Sequence, residues 1–327
     1  MKYTRQAFDR AEAEIAGRRR QAEEEYAARS EEIRRKAPEI YNLDKSIAAA
    51  NYALISAIAK GGGREAVRQS VAETRKKNLS AQQTVRSMLG AFGYDEDYLD
   101  VHYYCEKCRD SGYHDGERCE CMEKLLKSYT TRELNENCSI RLHDFSEFRE
   151  DYYPADGFDK VNAREHMKAV CNDCRQYVKN FDEDSPSLFM FGKTGLGKTF
   201  LSSCIAKALL EEGRNVFFGS LLKLLRQIED ERFRRREGDT TGVVISAELV
   251  ILDDLGSEFQ TTFTDSVLYE IINERINLER PTIISTNLSP KELDAKYNDR
   301  LVSRLMGCFS PMMFVGNDVR AQKRRER

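Results

Sequence analysis

Short apolar runs alternate with amphipathic helical patterns in the second half of the chain. The runs lie at 187–191, 215–219, 249–253 and 281–285. Each has the length of a buried strand, and the segments between them place apolar residues at helical spacing. Such alternation is typical of βα units around a parallel sheet. We therefore predict an α/β fold from residue 158 onward, with a parallel sheet flanked by helices.

Residues 1–90 have a different pattern. They are rich in Ala, Glu, Arg and Gln, contain one proline, Pro38, and carry mixed charge runs such as 17–36. This composition favours helices. The apolar residues Ile15, Tyr26 and Ile33 are too far apart for a sustained coiled-coil seam, so a solvated helical hairpin or bundle is the simpler interpretation.

Composition limits the function classes. Apolar residues make up 40% of the 327 positions, which is enough for at least one core. Charged residues make up 33%, but they nearly cancel to a net charge of −3, so any surface that binds nucleic acid must be local. Acidic residues interrupt the first apolar positions, and no apolar run approaches the roughly 18 residues of a membrane span. We expect a cytoplasmic protein with no membrane partner.

A glycine-rich string follows the first apolar run and precedes a helical pattern. Residues 192–199 fit the pattern G-x-x-x-x-G-K-[ST]. Glycines let backbone N–H groups approach a phosphate, and the helix start adds its positive dipole end. Lys198 would then reach the β- and γ-phosphates, and the Thr199 hydroxyl would bind Mg²⁺. The predicted nucleotide-binding residues of this loop are Gly192, Lys193, Thr194, Gly195, Leu196, Gly197, Lys198, Thr199 and Phe200.

Polar side chains end two later apolar runs. Asp253 and Asp254 close the run at 249–253, and Asn287 follows the run at 281–285. Asp253 would hold Mg²⁺ through water, and Asp254 would orient or deprotonate an attacking water. Asn287 could hydrogen-bond the γ-phosphate or that water, although an Asn after a strand is more often a turn residue.

Three arginines follow these strand ends in the sequence. Arg300 and Arg304 are spaced i,i+4 in a helical pattern, and Arg320 lies near the end of the chain. Isolated arginines are usually solvated surface residues. Their order after the acidic and amide strand ends is what favours a functional interpretation.

Together these motifs resemble those of AAA+ ATPases of the bacterial helicase-loader type, DnaC and DnaI, with the IstB transposition helpers as relatives. The resemblance covers about residues 145–327. It implies that Lys198 and Thr199 form the Walker A motif, Asp253 and Asp254 the Walker B motif, and Asn287 sensor 1. It also implies that Arg304 is an arginine finger with Arg300 as its companion, and that Arg320 is sensor 2. Most AAA+ members have Glu where this chain has Asp254.

Four cysteines are close together before this region. Cys105, Cys108, Cys119 and Cys121 have the spacing C-x2-C-x10-C-x-C. Four thiolates so spaced can close a tetrahedral Zn²⁺ shell. His114 remains an alternative to one cysteine, and reduced thiols or a redox pair remain alternatives to zinc. The cluster also resembles the zinc-bearing N-terminal regions of Gram-positive helicase loaders.

A local basic segment lies between the second and third apolar runs. A helical pattern at 221–228 ends in a cluster of five residues: Arg232, Phe233, Arg234, Arg235 and Arg236. Cations suit a helix C-terminus without any ligand. Single-stranded DNA would bind the same combination of arginines and a stacking aromatic side chain. The sequence leaves the two interpretations equal.

We divide the chain into four parts. They are a helical partner-binding region at 1–100, a zinc module at 101–125, a linker at 126–157 and the AAA+ ATPase domain at 158–327. The resemblance implies ATP-dependent loading of a replicative helicase, with ATP, Mg²⁺ and Zn²⁺ as cofactors. The implied partners are the helicase, bound through the N-terminal region, single-stranded DNA and further copies of the chain. An IstB-like transposition helper and a nucleotide-switched adaptor with negligible turnover are the alternatives.

Overall fold

The computed structural model describes residues 3–59, 64–137, 140–155, 162–235 and 238–325. The contacts group the chain into two compact units. One unit comprises Met1–Ala11 with Glu123–Arg327, and the other comprises Glu12–Met122. Each unit is described by itself below.

Helices and strands alternate from Ala163 onward. The helices are α1 (Arg5–Lys36), α2 (Pro38–Ala59), α3 (Arg64–Ala91), α4 (Glu120–Asn137), α5 (Ala163–Lys179), α6 (Lys198–Glu211), α7 (Leu221–Arg232), α8 (Thr240–Ser246), α9 (Thr262–Asn277), α10 (Pro290–Lys296), α11 (Asp299–Cys308) and α12 (Val319–Arg325). The strands are β1 (Tyr113–His114), β2 (Glu117–Arg118), β3 (Leu188–Phe191), β4 (Val216–Ser220), β5 (Leu249–Leu255), β6 (Thr282–Thr286) and β7 (Ser310–Met313). Among the described residues, none of the helices combines the length and the apolar character that a bilayer crossing requires.

The unit formed by Glu12–Met122 is mainly helical. Its core cluster contains Ile33 of α1, Ile40 of α2 and Leu89 of α3, each at most 1% exposed. Pro38 starts α2, a position where its missing N–H leaves no hydrogen bond unmade. At the rim of this cluster the Glu32 carboxylate accepts hydrogen bonds from two tyrosines and Lys36. Hence a small apolar core, and not only paired surface charges, holds these helices together.

A five-stranded parallel sheet forms the centre of the other unit. The strand order is β4-β5-β6-β3-β7, and every neighbouring pair is parallel. Residues of β3, β4, β5 and β6 are almost entirely buried, as continuous apolar runs between two helical layers require. The predicted fold class, α/β with a parallel sheet flanked by helices, is confirmed.

Strand β7 was not predicted from the sequence. It has a proline, Pro311, and its side chains are mostly exposed. Because β7 is an edge strand that pairs only with β3, Pro311 does not interrupt a ladder on both sides. The sequence has a short apolar run at 312–315, but Ser310 and Pro311 form the first half of β7 and obscure the strand.

The pairing of β5 with β6 is irregular where the predicted acidic residues lie. The register shifts between Leu252 and Leu255. Within the shift, Asp254 has φ +66°, a backbone conformation that residues other than glycine rarely adopt. The bulge therefore sets the direction of the two aspartates at the carboxyl end of the sheet.

Much of the segment predicted as a linker packs within the unit that contains the five-stranded sheet, which we call the sheet unit. Asn135 of α4 donates from Nδ2 to the Val216 carbonyl at 2.7 Å and accepts from the Phe218 N–H at 2.9 Å. Its amide thereby pairs with the edge strand β4 as a peptide group would. Further on, Tyr153 is only 3% exposed and belongs to the main hydrophobic cluster. The predicted boundary between 157 and 158 lies outside the described residues.

A buried arginine joins α9 to the loops beneath the sheet. The Arg275 side chain is fully buried, and burial lowers the pKa of its guanidinium to about 9. It donates to the carbonyls of Val244, Ile245, Ala247, Glu248 and Pro281 and to the Thr282 hydroxyl. Among the residues that the structure describes, carbonyl and hydroxyl oxygens, and not a carboxylate, accept the hydrogen bonds of this charge.

We expect Arg275→Met to lower the free energy of unfolding by about 3 kcal/mol or more. Several buried carbonyls would lose their donor, and each such loss costs about 1–3 kcal/mol. Urea unfolding of the full chain measures the effect. Arg226→Met is the matched control, because Arg226 is an exposed arginine of α7. Equal unfolding midpoints for the two variants would contradict this account.

Candidate nucleotide site and metal centre

The glycine-rich loop connects β3 to α6 and is shaped by its glycines. Gly192, Gly195 and Gly197 have φ values of +146°, +84° and +99°. A side chain at these positions would also lack space. A Cβ on Gly192 would overlap the carbonyl of Phe314, and one on Gly195 would overlap the carboxylate of Asp318. Both the backbone conformation and the packing therefore require glycine here.

Tyr153 supports the loop through a hydrogen bond. Its hydroxyl donates to the Leu196 carbonyl at 2.9 Å, and burial raises its pKa to about 12. Gly197 is the residue before α6 and has no side chain to cap the helix. The N–H groups of the first turn of α6 are then available to an anion, which the helix dipole also favours. The loop therefore fits a phosphate group.

Lys198 is the first residue of α6 and its ammonium group is held from three sides. Nζ donates to the carbonyls of Gly192 and Lys193 at 2.6 and 2.8 Å and to Asn287 Oδ1 at 2.7 Å. The residue is 6% exposed. Burial lowers the pKa of the amine to about 8, and the nearby carboxylates of Asp254 and Asp253 limit that fall. The lysine is thus fixed at the loop while still positively charged at neutral pH.

Thr199 and Asp253 meet at this loop. The Thr199 hydroxyl lies 3.0 Å from each oxygen of the Asp253 carboxylate. Mg²⁺ prefers oxygen ligands and usually keeps several waters, so a hydroxyl can bind it directly and a carboxylate can bind it through water. Burial raises the pKa of Asp253, and hydrogen bonds from Ser285 and Thr199 oppose the rise. The chemistry of the hydroxyl and the carboxylate therefore fits a magnesium ion.

Asn287 connects the lysine to the second aspartate. Its Nδ2 donates to Asp254 Oδ1 at 2.6 Å, while its Oδ1 accepts from Lys198. The three side chains come from the ends of β6 and β5 and from the start of α6. Since parallel strands end at the same edge of a sheet, residues 254, 287 and 198 meet although they are far apart in sequence.

A cavity of about 440 Å³ opens at this edge, a volume within the usual range of ligand pockets of roughly 300–1,000 Å³. It is lined by Thr194, Gly195, Leu196, Gly197, Lys198, Thr199, Phe200, Asp253, Asp254, Asn287 and Arg320 among the predicted residues. Gly192 and Lys193 do not line it, and their carbonyls instead hold Lys198.

One wall of the cavity was missed by sequence analysis. It comprises Ile140, Arg141, His143, Glu147, Phe148, Arg149, Tyr152 and Tyr153, together with Ser285 on the strand β6 and Val319. The ring of Phe148 lies 5.8 Å from that of Tyr153 and 6.5 Å from that of Phe200. The density of aromatic residues at 145–153 was the available signal, but it carries no periodicity and was interpreted as a linker.

The C-terminal segment is hydrogen-bonded to the loop. The Val319 N–H donates to the Gly195 carbonyl at 3.0 Å, and Asp318 Oδ1 accepts from the Arg320 N–H at 2.8 Å. These contacts bring Arg320 to the cavity. Arg304 lies elsewhere: its Nε donates to Asn273 Oδ1 at 2.9 Å and its guanidinium lies 4.9 Å from the Tyr269 ring. Of the three predicted arginines, Arg320 lines the cavity, whereas Arg300 and Arg304 do not.

The four predicted cysteine ligands lie together within the unit formed by Glu12–Met122, which we call the N-terminal unit. All their Sγ atoms are within 4.8 Å of one another, with Cys105 and Cys119 at 3.8 Å and Cys108 and Cys121 at 3.4 Å. Four sulfurs around Zn²⁺, each at about 2.3 Å, would be about 3.8 Å apart. His114 is not in this group, and its Nδ1 lies 3.0 Å from the Asp115 carboxylate. The cluster could therefore hold zinc with four thiolates.

The backbone around the cysteines is fixed by local hydrogen bonds. Asp110 is buried and accepts from the N–H groups of Tyr104 and Cys105, both at 2.9 Å. The antiparallel strands β1 and β2 form the hairpin that separates the two cysteine pairs. Arg18 of α1 stacks on the Tyr104 ring at 4.0 Å, which attaches the cluster to the helices of the same unit.

Comparison with known proteins places this site in a family context. Residues 172–324 match the family of IstB-like ATP binding proteins. This range contains the glycine-rich loop, both aspartates, Asn287 and all three arginines. The resemblance predicted from the motifs is confirmed over this range.

Replicative helicase loaders are among the curated proteins to which this chain is similar. DnaC of Escherichia coli strain K12, a replicative helicase loader, is 25% identical over 187 residues, which is 56% of this chain and 69% of DnaC. DnaI of Bacillus subtilis strain 168, also a replicative helicase loader, is 24% identical over 159 residues, 44% of this chain and 51% of DnaI. A crystal structure of the DnaC helicase loader is 24% identical, covers 51% of this chain and 99% of that chain, and has a TM-score of 0.43.

We expect the affinity for ATP to fall above about pH 8. Below that pH Lys198 is charged and can pair with phosphate. As the pH rises through its pKa of about 8 the free protein loses this proton, so affinity should fall by up to about tenfold per pH unit. Titration calorimetry from about pH 7 to about pH 9.5 measures it. An affinity that stays constant over this range would contradict the assignment.

The same shift affects stability. An unfolded lysine keeps its ordinary pKa of 10.5, so between about pH 8 and that value the unfolded chain binds more protons than the folded chain. The contribution of Lys198 to the free energy of unfolding should therefore rise with pH across this window. Denaturation at several pH values, compared with Lys198→Met, isolates this contribution.

We expect the full chain to bind one zinc ion and to lose it in Cys121→Ser. The spacing of the four sulfurs supports this, and removal of one thiolate opens the tetrahedral shell. Elemental analysis after dialysis gives the zinc content. Cys308→Ser, which replaces an exposed cysteine, and His114→Ala should both retain zinc. A metal-free parent protein would favour reduced thiols or a redox pair.

Proposed function

We propose that this chain is an ATPase that loads a replicative DNA helicase during DNA replication, with ATP binding and hydrolysis controlling its assembly on single-stranded DNA. One observation carries the proposal: Lys198, Thr199, Asp253, Asp254 and Arg320 converge on a single cavity of about 440 Å³. The relatives named as replicative helicase loaders support the choice of partner.

The residues of the cavity suit phosphate hydrolysis. Lys198 and the first turn of α6 would bind the phosphates, and Thr199 and Asp253 would hold the magnesium ion. Bound Mg²⁺ would supply positive charge against the triphosphate. Asp254 would accept a proton from an attacking water, and Asn287 would orient that water while holding Asp254 by its amide. Aspartate is shorter than glutamate, so we expect slow turnover.

Arg304 would act on the nucleotide of a neighbouring copy. Its contacts with Tyr269 and Asn273 keep its guanidinium on α9 and away from its own cavity. Arg300 lies one turn earlier on α11 and is exposed. A second copy placed against α11 would receive these charges beside its triphosphate. ATP would thus favour self-association, and its hydrolysis would weaken it.

The N-terminal unit is the proposed helicase-binding part. We assign partner binding to 1–100, zinc binding to 101–125 and the ATPase domain to 158–327, with 126–157 between them. The separate core around Ile33 and Leu89 supports a module that can engage a partner while the sheet unit binds nucleotide. The proposed site of action is the cytoplasm.

The basic segment after α7 is the proposed contact with single-stranded DNA. Phe233 is 60% exposed, and its ring lies 6.2 Å from that of Phe263. The exposed cations beside it are Arg232, Arg234 and Arg235; Arg236 lies outside the described residues. An exposed aromatic ring flanked by arginines suits stacked bases and a phosphate backbone.

A second candidate is an IstB-like transposition helper. The family match over residues 172–324 favours it. Such a protein would bind double-stranded DNA and a transposase in place of single-stranded DNA and a helicase. Fluorescence anisotropy with matched single- and double-stranded oligonucleotides separates the two candidates.

We expect Lys198→Ala to weaken ATP binding by about 10- to 150-fold, since a hydrogen bond to a charged group contributes about 1.5–3 kcal/mol.

We expect Arg304→Ala to bind ATP normally but to reduce, on the order of 10³-fold, the rate of hydrolysis measured with single-stranded DNA present. Fluorescent-nucleotide binding and phosphate release measure the two effects. Arg226→Ala, an exposed arginine of α7, is the control.

Three outcomes would contradict the proposal. If Arg304→Ala hydrolyses ATP as fast as the parent, Arg304 does not act on a neighbouring copy. If the parent binds ATP but releases no phosphate in the presence of DNA and helicase, the chain is a nucleotide-switched adaptor. If the parent binds ATP but does not bring a replicative helicase onto single-stranded DNA, the loading function is wrong.

A further inference from the structure

Ser285 contacts both aspartates of the site. It lies within β6 and is 1% exposed. Its hydroxyl donates to Asp253 Oδ1 at 2.6 Å and accepts from the Asp254 N–H at 2.9 Å. One hydroxyl therefore joins the side chain of the first aspartate to the backbone of the second.

The bulge of β5 explains why a hydroxyl is needed there. Between Leu252 and Leu255 the ladder to β6 changes register, so the Asp254 N–H does not meet a backbone carbonyl of β6 in regular pairing. The Ser285 side chain supplies the acceptor in its place. Asp254 also has φ +66°, a conformation that persists only where surrounding contacts determine it. Ser285 is one of these contacts.

The same hydroxyl fixes the metal-binding carboxylate. Asp253 is 7% exposed, and its Oδ1 receives hydrogen bonds from both Ser285 and Thr199. Such a donor favours the ionised carboxylate and restricts its rotation about the side-chain bonds. Without it, the carboxylate could turn away from Thr199.

We infer that Ser285 is a positioning residue for magnesium binding, and that it acts through Asp253 and Asp254. The inference rests on the proposed ATPase function. Ser285 lies two positions before Asn287, and the two residues have different roles. Ser285 orients the Asp253 carboxylate and the Asp254 backbone, whereas Asn287 holds the Lys198 and Asp254 side chains by its amide.

The test measures how Mg²⁺ strengthens the binding of fluorescent ATP to the full chain. Loss of an outer contact to a metal ligand typically costs about 10- to 100-fold in metal affinity. For Ser285→Ala we therefore expect the Mg²⁺ concentration at half-maximal effect to rise about tenfold. Nucleotide affinity in the presence of EDTA should remain that of the parent, because Ser285 is not expected to hold phosphate.

Ser203→Ala is the matched control. Ser203 of α6 is also fully buried, but its hydroxyl donates only to the Phe200 carbonyl of the same helix, at 2.7 Å. We expect its Mg²⁺ dependence to equal that of the parent. Ser285→Thr keeps the hydroxyl and should restore most of the Mg²⁺ affinity, whereas Ser285→Cys, a weaker donor of nearly the same size, should give an intermediate value.

The result separates this inference from the proposed function. If Ser285→Ala and Ser203→Ala require the same Mg²⁺ concentration, Ser285 has no positioning role. If Ser285→Ala does not fold, as judged by its thermal transition, the Ser285→Thr and Ser285→Cys pair decides, and equal Mg²⁺ dependence in the two overturns the inference. If the parent and Asp253→Ala respond equally to Mg²⁺, the proposed metal site itself is wrong.

Discussion

The Thr199 hydroxyl lies 3.0 Å from the Asp253 carboxylate. This contact joins the glycine-rich loop to the acidic end of β5. Thr199 follows β3, whereas Asp253 lies near the carboxyl end of β5, and β6 lies between these strands. Strands are spaced about 4.8 Å apart, so the two residues must bridge roughly twice that distance. The bulge in β5 and the start of α6 together make the approach. Every other feature of the cavity is arranged around this meeting point.

The local parts of the site could be predicted from sequence because their geometry is set by neighbours in the chain. Lys198 and Thr199 are placed by a glycine loop and a helix start that the spacing specifies. Asp253 and Asn287 could be placed because parallel strands end at one edge of a sheet. The four cysteines could be grouped by their spacing, and the structure brings all four sulfurs within 4.8 Å.

The parts that were not predicted depend on contacts between distant segments. Tyr153 bonds to Leu196, 43 positions later, and no local pattern encodes that pair. Ser285 reads as an ordinary strand residue until the bulge opposite it is known. Strand β7 begins with a serine and a proline, so its sequence gives only a weak strand signal. Arg275 reads as a surface cation in sequence, yet it is fully buried because the carbonyls around it replace water.

The glycine-rich loop is enclosed by residues that come before it in the sequence and by residues that come after it. A Cβ on Gly197 would lie 2.9 Å from the Tyr153 hydroxyl, and those on Gly192 and Gly195 would meet Phe314 and Asp318. The motif therefore owes its shape to tertiary packing as well as to its own residues. Grafting these eight residues onto the strand–helix turn of an unrelated protein would transfer the glycines. It would not transfer the neighbouring residues that leave no space for a side chain at these positions.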